Sequence, residues 1–331
     1  MEAAIATLVD RVRSAGRELK KPALRTADPA VRGALRFLAL GVLVLIVYFF
    51  LRLAIVAEPT FSRFGIFGFV FTNNWDVARN LFGAWPLVAG TLITSAIAML
   101  LGVPVAVGAA LYVTELAPAR LRKSLAMLLD LLAAIPSVIY GLWGVFILIP
   151  KLKPAEQWFS HTFSFLPFVG GGTVSGPNYF IAGLILAIMI IPIVSAISRE
   201  VLATVPVQEK EGALALGATR WEMIRLAVLP HSRPGITSAA LLGLGRAIGE
   251  TIAVTLVIGS APTIGHHLFS QGYTLAAVIA NEFGETSPGS LHLSALFAAG
   301  LLLFVLTLIV NGIARAVVLR SYRGRKGRAI V

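Results

Sequence analysis

Six apolar runs, each long enough to cross a bilayer, constrain this chain more than any other feature. Hydrocarbon about 30 Å thick needs a helix of about 20 apolar residues, because every backbone N–H and C=O must be satisfied within the segment. The runs are about Phe37–Val56, Leu87–Val113, Leu125–Ile149, Tyr179–Ile197, Gly235–Ile258 and Leu293–Val318. Of 331 residues, 57% are hydrophobic and only 13% charged, about half the charge that a water-soluble domain carries. An ordinary soluble enzyme and a disordered chain are both excluded. The expected fold class is all-α: a polytopic membrane protein with six transmembrane helices.

The basic residues fix an expected orientation. Eight Lys and Arg fall in the first 36 residues. Arg120, Arg122 and Lys123 follow the second run; Arg199, Lys210, Arg220, Arg225 and Arg233 follow the fourth; six more lie from Arg315 to Arg328. The alternate loops hold only Arg63, Arg79, Lys151 and Lys153. Loops rich in Lys and Arg stay on the cytoplasmic side. Both termini are therefore expected in the cytoplasm. The net charge of +12 follows from these segments, so the partner it implies is membrane lipid and not nucleic acid.

Residues 1–36 read as a cytoplasmic tail, with Leu8, Val12, Ala15 and Leu19 at the spacing of an interfacial amphipathic helix. Residues 319–331 read as a basic cytoplasmic tail. No small-residue cleavage site follows the first basic stretch, which argues against a signal peptide. The chain has no cysteine, so disulfides, thiol nucleophiles and Cys metal sites are excluded. Its five His (161, 231, 266, 267, 292) fall in loops or span ends without carboxylates at ligand spacing. They read as surface residues, and no metal is expected. Aromatic runs at Phe61–Phe71 and Trp158–Phe168 are expected at the headgroup level, with contact to an external protein as the alternative.

The loop from Arg199 to Arg233 is too long for a minimal connection and too polar to span. Glu209–Leu216 reads as a short helix. Gly217 stands where a helix ends in a left-handed residue. Thr219 and Glu222 form a capping-box pair for a second helix, Arg220 to Leu229, which Pro230 is expected to end. The prediction is two short helices joined by a sharp Gly elbow. Such a unit either transmits motion to a soluble partner or simply re-enters the membrane surface.

In the fifth run, Arg246 and Glu250 are four residues apart and should share one helix face. A charge at mid-bilayer costs about 2.5–3.5 kcal/mol on translocon scales, so both should face protein or water. One reading is a buried ion pair that fixes packing. The other is a charged site on a solute path, in which the planar Arg fork takes an oxyanion in bidentate fashion and Glu250 holds Arg246 in place. Thr251 adjoins this site. Ser137 and Tyr140, after Pro136, are further candidates for a polar path. Thr91, Thr94 and Ser95 are expected to bond their own helix or a neighbouring one, and Asp130 to pair with loop cations.

Glu211, Ala213, Gly217, Leu229 and Pro230 fit the spacing of the EAA loop of ABC importer permeases. Gly212 replaces the first Ala, and Ala227 stands where Ile is usual. The run Gly243–Thr251 resembles the G-L-G-R-A-[IL]-G-E-T string of phosphate-specific transport permeases. Ala134–Gly144 (AIPSVIYGLWG) and Ala277–Phe283 (AVIANEF) resemble the C-type subunit of that group. The resemblance covers about residues 37 to 320. It implies a type I importer permease with its core over residues 87–318 and inorganic phosphate as solute. It also implies an A-type permease, a dimer of ATP-binding subunits and an extracytoplasmic phosphate-binding protein as partners. Glu209 and Glu211 would contact the ATPase, with Ala213 and Gly217 shaping the coupling helix. The chain has no Gly-x-x-x-x-Gly-Lys-Ser/Thr phosphate cradle, so it is not expected to be an enzyme; no cofactor is expected, and ATP would bind the partner. Sulfate or molybdate is the alternative solute. A stand-alone secondary transporter would need inverted repeats or several intramembrane carboxylates.

Overall fold

The computed structural model describes residues 22–326, apart from 167, 169, 171, 172 and 266. The expected amphipathic helix around Leu8–Leu19, and the end of the basic tail, lie outside the described residues. In chain order the elements are α1 (Pro22–Phe64), α2 (Ile66–Phe71), β1 (Trp75–Asp76), β2 (Leu81–Phe82), α3 (Trp85–Leu111), α4 (Ala119–Ala133), α5 (Ser137–Trp143) and α6 (Ile149–Thr162). There follow α7 (Tyr179–Ala203), α8 (Val207–Ala215), α9 (Arg220–Met223), α10 (Leu229–Gly249), α11 (Ile252–Ile258), α12 (Leu275–Glu282) and α13 (Leu291–Lys326). Three π-turns, Tyr112–Leu116, Gly144–Leu148 and Ile224–Val228, continue α3, join α5 to α6 and join α9 to α10. Among the described residues five helices are long and apolar enough to cross a membrane, and the bent pair Arg220–Gly249 with Ile252–Ile258 is a candidate sixth.

Contacts divide the chain after Ile55. In the first unit the described residues form one uninterrupted helix with exposed apolar side chains from Val31 to Ile55. The second unit is built around α3 and α7. Small residues bring these two together, as lipid offers no hydrophobic drive and close van der Waals packing must hold them. A Cβ on Gly183 would collide with Ile97, and one on Gly102 with Ala187 and Ile190. Residue numbers rise together along this seam, so α3 and α7 run parallel. Gly235 meets Val201 and Gly243 meets Val194, so α10 runs antiparallel to α7. Thr91 and Thr94 donate as expected to the carbonyls of Leu87 and Gly90 in their own helix, whereas the buried Ser95 hydroxyl finds no hydrogen-bond partner. Thr91 also accepts from the Leu275 N–H, tying α3 to α12.

Three expectations need correction. The third run, Leu125–Ile149, is not one helix. It breaks at 134–136, and the uninterrupted helix long enough to span is Ser137–Thr162. Pro136 explains the break, since it lacks an N–H and biases the residue before it away from the α region. Asp130 nonetheless meets Arg199, and Gly144, just past α5, meets Ile185, so the path from α4 through α5 runs antiparallel to α7. Pro230 does not end the second elbow helix either. The wider π-turn at Ile224–Val228 shifts the hydrogen-bond register ahead of it, and one bonded path runs from Arg220 to Gly249.

The third correction concerns His292, which packs into an aromatic core. Of the run Phe61–Phe71 only Phe69 is buried, while Phe67 and Phe71 are 78% and 62% exposed. Phe69, Trp75 and Phe82 are 0%, 4% and 2% exposed and meet in edge-to-face contacts. The tiny β1–β2 hairpin, turned through Asn80 in the left-handed region, holds two of these rings in register. His292, expected at the surface, is 7% exposed. It stacks on Phe82 and sits 2.8 Å from Glu282, whose same oxygen accepts from the Trp75 indole. Nearby, burial pushes the Tyr273 phenol up to about 12, so it stays neutral.

Candidate functional site: the broken fifth span and its elbow

The fifth span bends by 62° where α10 gives way to α11. Gly249 is the last residue of α10, Glu250 is extended, and α11 restarts at Ile252. Arg246 and Glu250 therefore do not share a helix face, and they form no ion pair. The Glu250 carboxylate turns forward and accepts from the Ala253 N–H at 3.4 Å, capping α11. The expectation that Glu250 holds Arg246 is overturned, because the i, i+4 rule applies only within an unbroken helix.

Arg246 is exposed on α10, while its neighbours Gly243, Ala247 and Ile248 are buried. The packed face is thus defined, and Arg246 is off it. Its guanidinium lies within electrostatic range of the Tyr140 phenol. Tyr140 is 9% exposed, and its hydroxyl donates to the Leu132 carbonyl at 2.9 Å. That bond reaches back across the break at 134–136 to a carbonyl that also accepts from the Ile135 N–H, and so ties α5 to the end of α4. Ser137, half-buried, opens the span after Pro136.

Two close contacts set the level of these residues. Gly141 packs on Ala253 and Leu256, and Gly144 on Val257. α5 and α11 are therefore parallel, and the break before Ser137 stands beside the break at Glu250–Thr251. The Thr251 hydroxyl donates to the Gly249 carbonyl at 3.3 Å. The structure thus brings together Arg246, Tyr140, Ser137, Glu250 and Thr251. The N-terminus of the Ser137–Thr162 span, with backbone N–H groups and positive dipole end, opens at this point. Chemically the arrangement can receive an anion: one Arg fork, hydroxyls and unused backbone donors.

The elbow has the predicted local form. α8 ends before Gly217, whose φ of +87° a Cβ would strain. Thr219 accepts from the Glu222 N–H while Glu222 accepts from the Thr219 N–H, a complete capping box. Ala213 is half-buried against a small apolar cluster of Ala110, Leu202, Val205, Met223, Ile224 and Val228. Glu209 pairs with His231 at 3.4 Å, and Glu211 is exposed. Leu216 is 91% and Trp221 61% exposed, an apolar pair at the tip. Sequence reading missed this pair and also missed Lys210, which bonds Glu115 at 2.6 Å. Lys210 and Glu115 are 95 positions apart, and no local pattern pairs them.

The family described as binding-protein-dependent transport system inner membrane component matches residues 102–321. The phosphate transport system permease protein PstC of Pasteurella multocida is 42% identical over 308 residues, 89% of this chain and 93% of its own. PstC 2 of Mycobacterium tuberculosis is 42% identical over 316 residues, 90% of this chain and 96% of its own. The solved bacterial alginate ABC transporter, in complex with an alginate pentasaccharide-bound periplasmic protein, shares the fold. It has a TM-score of 0.56 at 19% identity, covering 85% of this chain and 92% of that one. The chain therefore belongs to the binding-protein-dependent inner membrane components, and within them to the PstC group that these relatives represent.

Proposed function

We propose that this chain is the C-type membrane permease of an ATP-driven importer of inorganic phosphate. It forms the translocation route with a second, A-type permease. A dimer of ATP-binding subunits docks on the elbow, and an external phosphate-binding protein delivers the anion. Both termini and the elbow face the cytoplasm, following the placement of Lys and Arg.

One observation carries this reading: Arg246 lies exposed beside two helix breaks, within a span, with no carboxylate on it. A guanidinium in that position is not left to lipid, because even the lowest scales charge about 2.5 kcal/mol for it. A second permease and an aqueous route cover it. Phosphate accepts two parallel N–H bonds from the fork, and the Ser137 hydroxyl and first backbone N–H groups of its span complete the cradle. Glu250, close by and already engaged with α11, lowers the net positive field so that the anion is passed on and not retained. ATP-driven closure of the motor subunits moves the elbow, and α10 carries that motion to Arg246.

The test is uptake of radiolabelled phosphate by proteoliposomes holding the permease pair, the ATPase and the binding protein. Uptake that needs ATP and is not displaced by excess sulfate or molybdate supports the reading. Uptake by this chain alone without ATP overturns it, and displacement by sulfate or molybdate reassigns the solute.

A further inference from the structure

At the elbow end of the second unit lies a cavity of about 650 Å³ whose wall carries Glu115, Arg122, Lys123, Asp130, Arg199, Glu200 and Lys210. Three carboxylates among the four cations argue against an anion site. Two ion pairs organise the wall instead. Arg199 at the end of α7 bonds Asp130 on α4 at 2.5 Å. Lys210 on α8 bonds Glu115, in the π-turn that continues α3, at 2.6 Å. The second pair is the more enclosed: the Lys210 side chain is 20% exposed and that of Glu115 only 8%, against 59% for Asp130.

The covalent routes out of the elbow are unequal. α8 follows α7 after a three-residue link, and α9 continues as one bonded helical path into α10. Nothing in the chain joins the elbow to α3 directly. What joins them is the apolar contact of Ala110 and Leu111 with Ala213, Met223 and Ile224, together with the Lys210–Glu115 pair. Apolar contacts are non-directional and can slide. A short charge-assisted hydrogen bond fixes distance and direction. α3 is also the helix most intimately packed on α7, so displacing its end displaces the centre of the bundle.

We propose that Lys210 and Glu115 are a positioning pair for transport: a polar strut that makes α3 follow the elbow, so that motor strokes move the core and not the elbow alone. This rests on the proposed coupling role of the elbow and adds a specific route to it. Neither residue touches solute or nucleotide.

The experiment uses the complete transporter in proteoliposomes and reads phosphate uptake, ATP hydrolysis and co-purification of the subunits for Lys210→Met, Glu115→Gln and the double swap Lys210→Glu/Glu115→Lys. The single variants are expected to assemble and hydrolyse ATP, while phosphate moved per ATP falls about tenfold, since each leaves its partner charge unpaired. The swap should restore most of that ratio. A ratio unchanged in the single variants overturns the strut. So does failure of the single variants to assemble, which would make the pair an anchor for folding only, and so does a swap that assembles without restoring the ratio. Failure of the elbow reading is seen separately, as phosphate uptake by the unaltered transporter that does not depend on ATP.

Discussion

The two ends of the second unit treat charge in opposite ways. At the end away from the elbow, Glu282 accepts from Trp75 and contacts His292 with one oxygen, and Phe82 roofs the imidazole. Each partner is buried and engaged. In the fifth span, Arg246 is exposed, its expected carboxylate partner is turned away, and the helix around it is interrupted. A satisfied polar cluster stabilises one arrangement. Under the proposed function, the charge left without a partner in a span is the one that meets the arriving anion.

The sharpest way to break this contrast is Arg246→Gln. Phosphate uptake should fall by about a hundredfold, the scale of removing one oxyanion donor, while subunit co-purification stays normal. Normal uptake would make Arg246 as structural as Glu282. Next, Trp221→Ala should weaken capture of the ATP-binding subunit about thirtyfold, as for a central aromatic contact, measured by pull-down from detergent. Unchanged capture would move the docking surface away from the elbow tip.

Glu282→Ala probes the other side of the comparison. It leaves the Trp75 indole N–H and the His292 ring buried without their acceptor and should cost about 2 kcal/mol of stability, read as a lower unfolding temperature. The protein that remains folded should transport normally; lost uptake at unchanged stability would show that the satisfied cluster is functional after all. Smallest is Gly217→Val, which forces a β-branched residue to a φ of +87° at a cost of about 1–2 kcal/mol. ATP hydrolysis should continue while phosphate moved per ATP declines, because the angle between α8 and α9 changes.

What the sequence revealed follows the range of the forces involved. The elbow was legible residue by residue, since Gly217, Thr219 and Glu222 act on backbone groups within three positions. The spans were legible because the bilayer imposes a length. Arg246 was legible as the charge that lipid would reject. Its relation to Glu250 was not, because no proline marks the interruption at Gly249, and only the packing of α11 on α5 shows that the helix restarts. Pro230 misled for the reverse reason: a neighbouring π-turn absorbed it. The Glu282–His292–Trp75 cluster joins segments 207 positions apart, beyond what any local pattern reports.

The π-turn at Ile224–Val228 has a mechanical consequence. The helical path continues from Arg220 to Gly249 through that π-turn, Pro230 and Pro234, so the tip of the elbow and Arg246 are joined along about 40 Å of helix at 1.5 Å per residue. A tilt of a few degrees at Trp221 becomes a lateral sweep of ångströms at the guanidinium, and the π-turn with Pro230 and Pro234 marks where that path can bend.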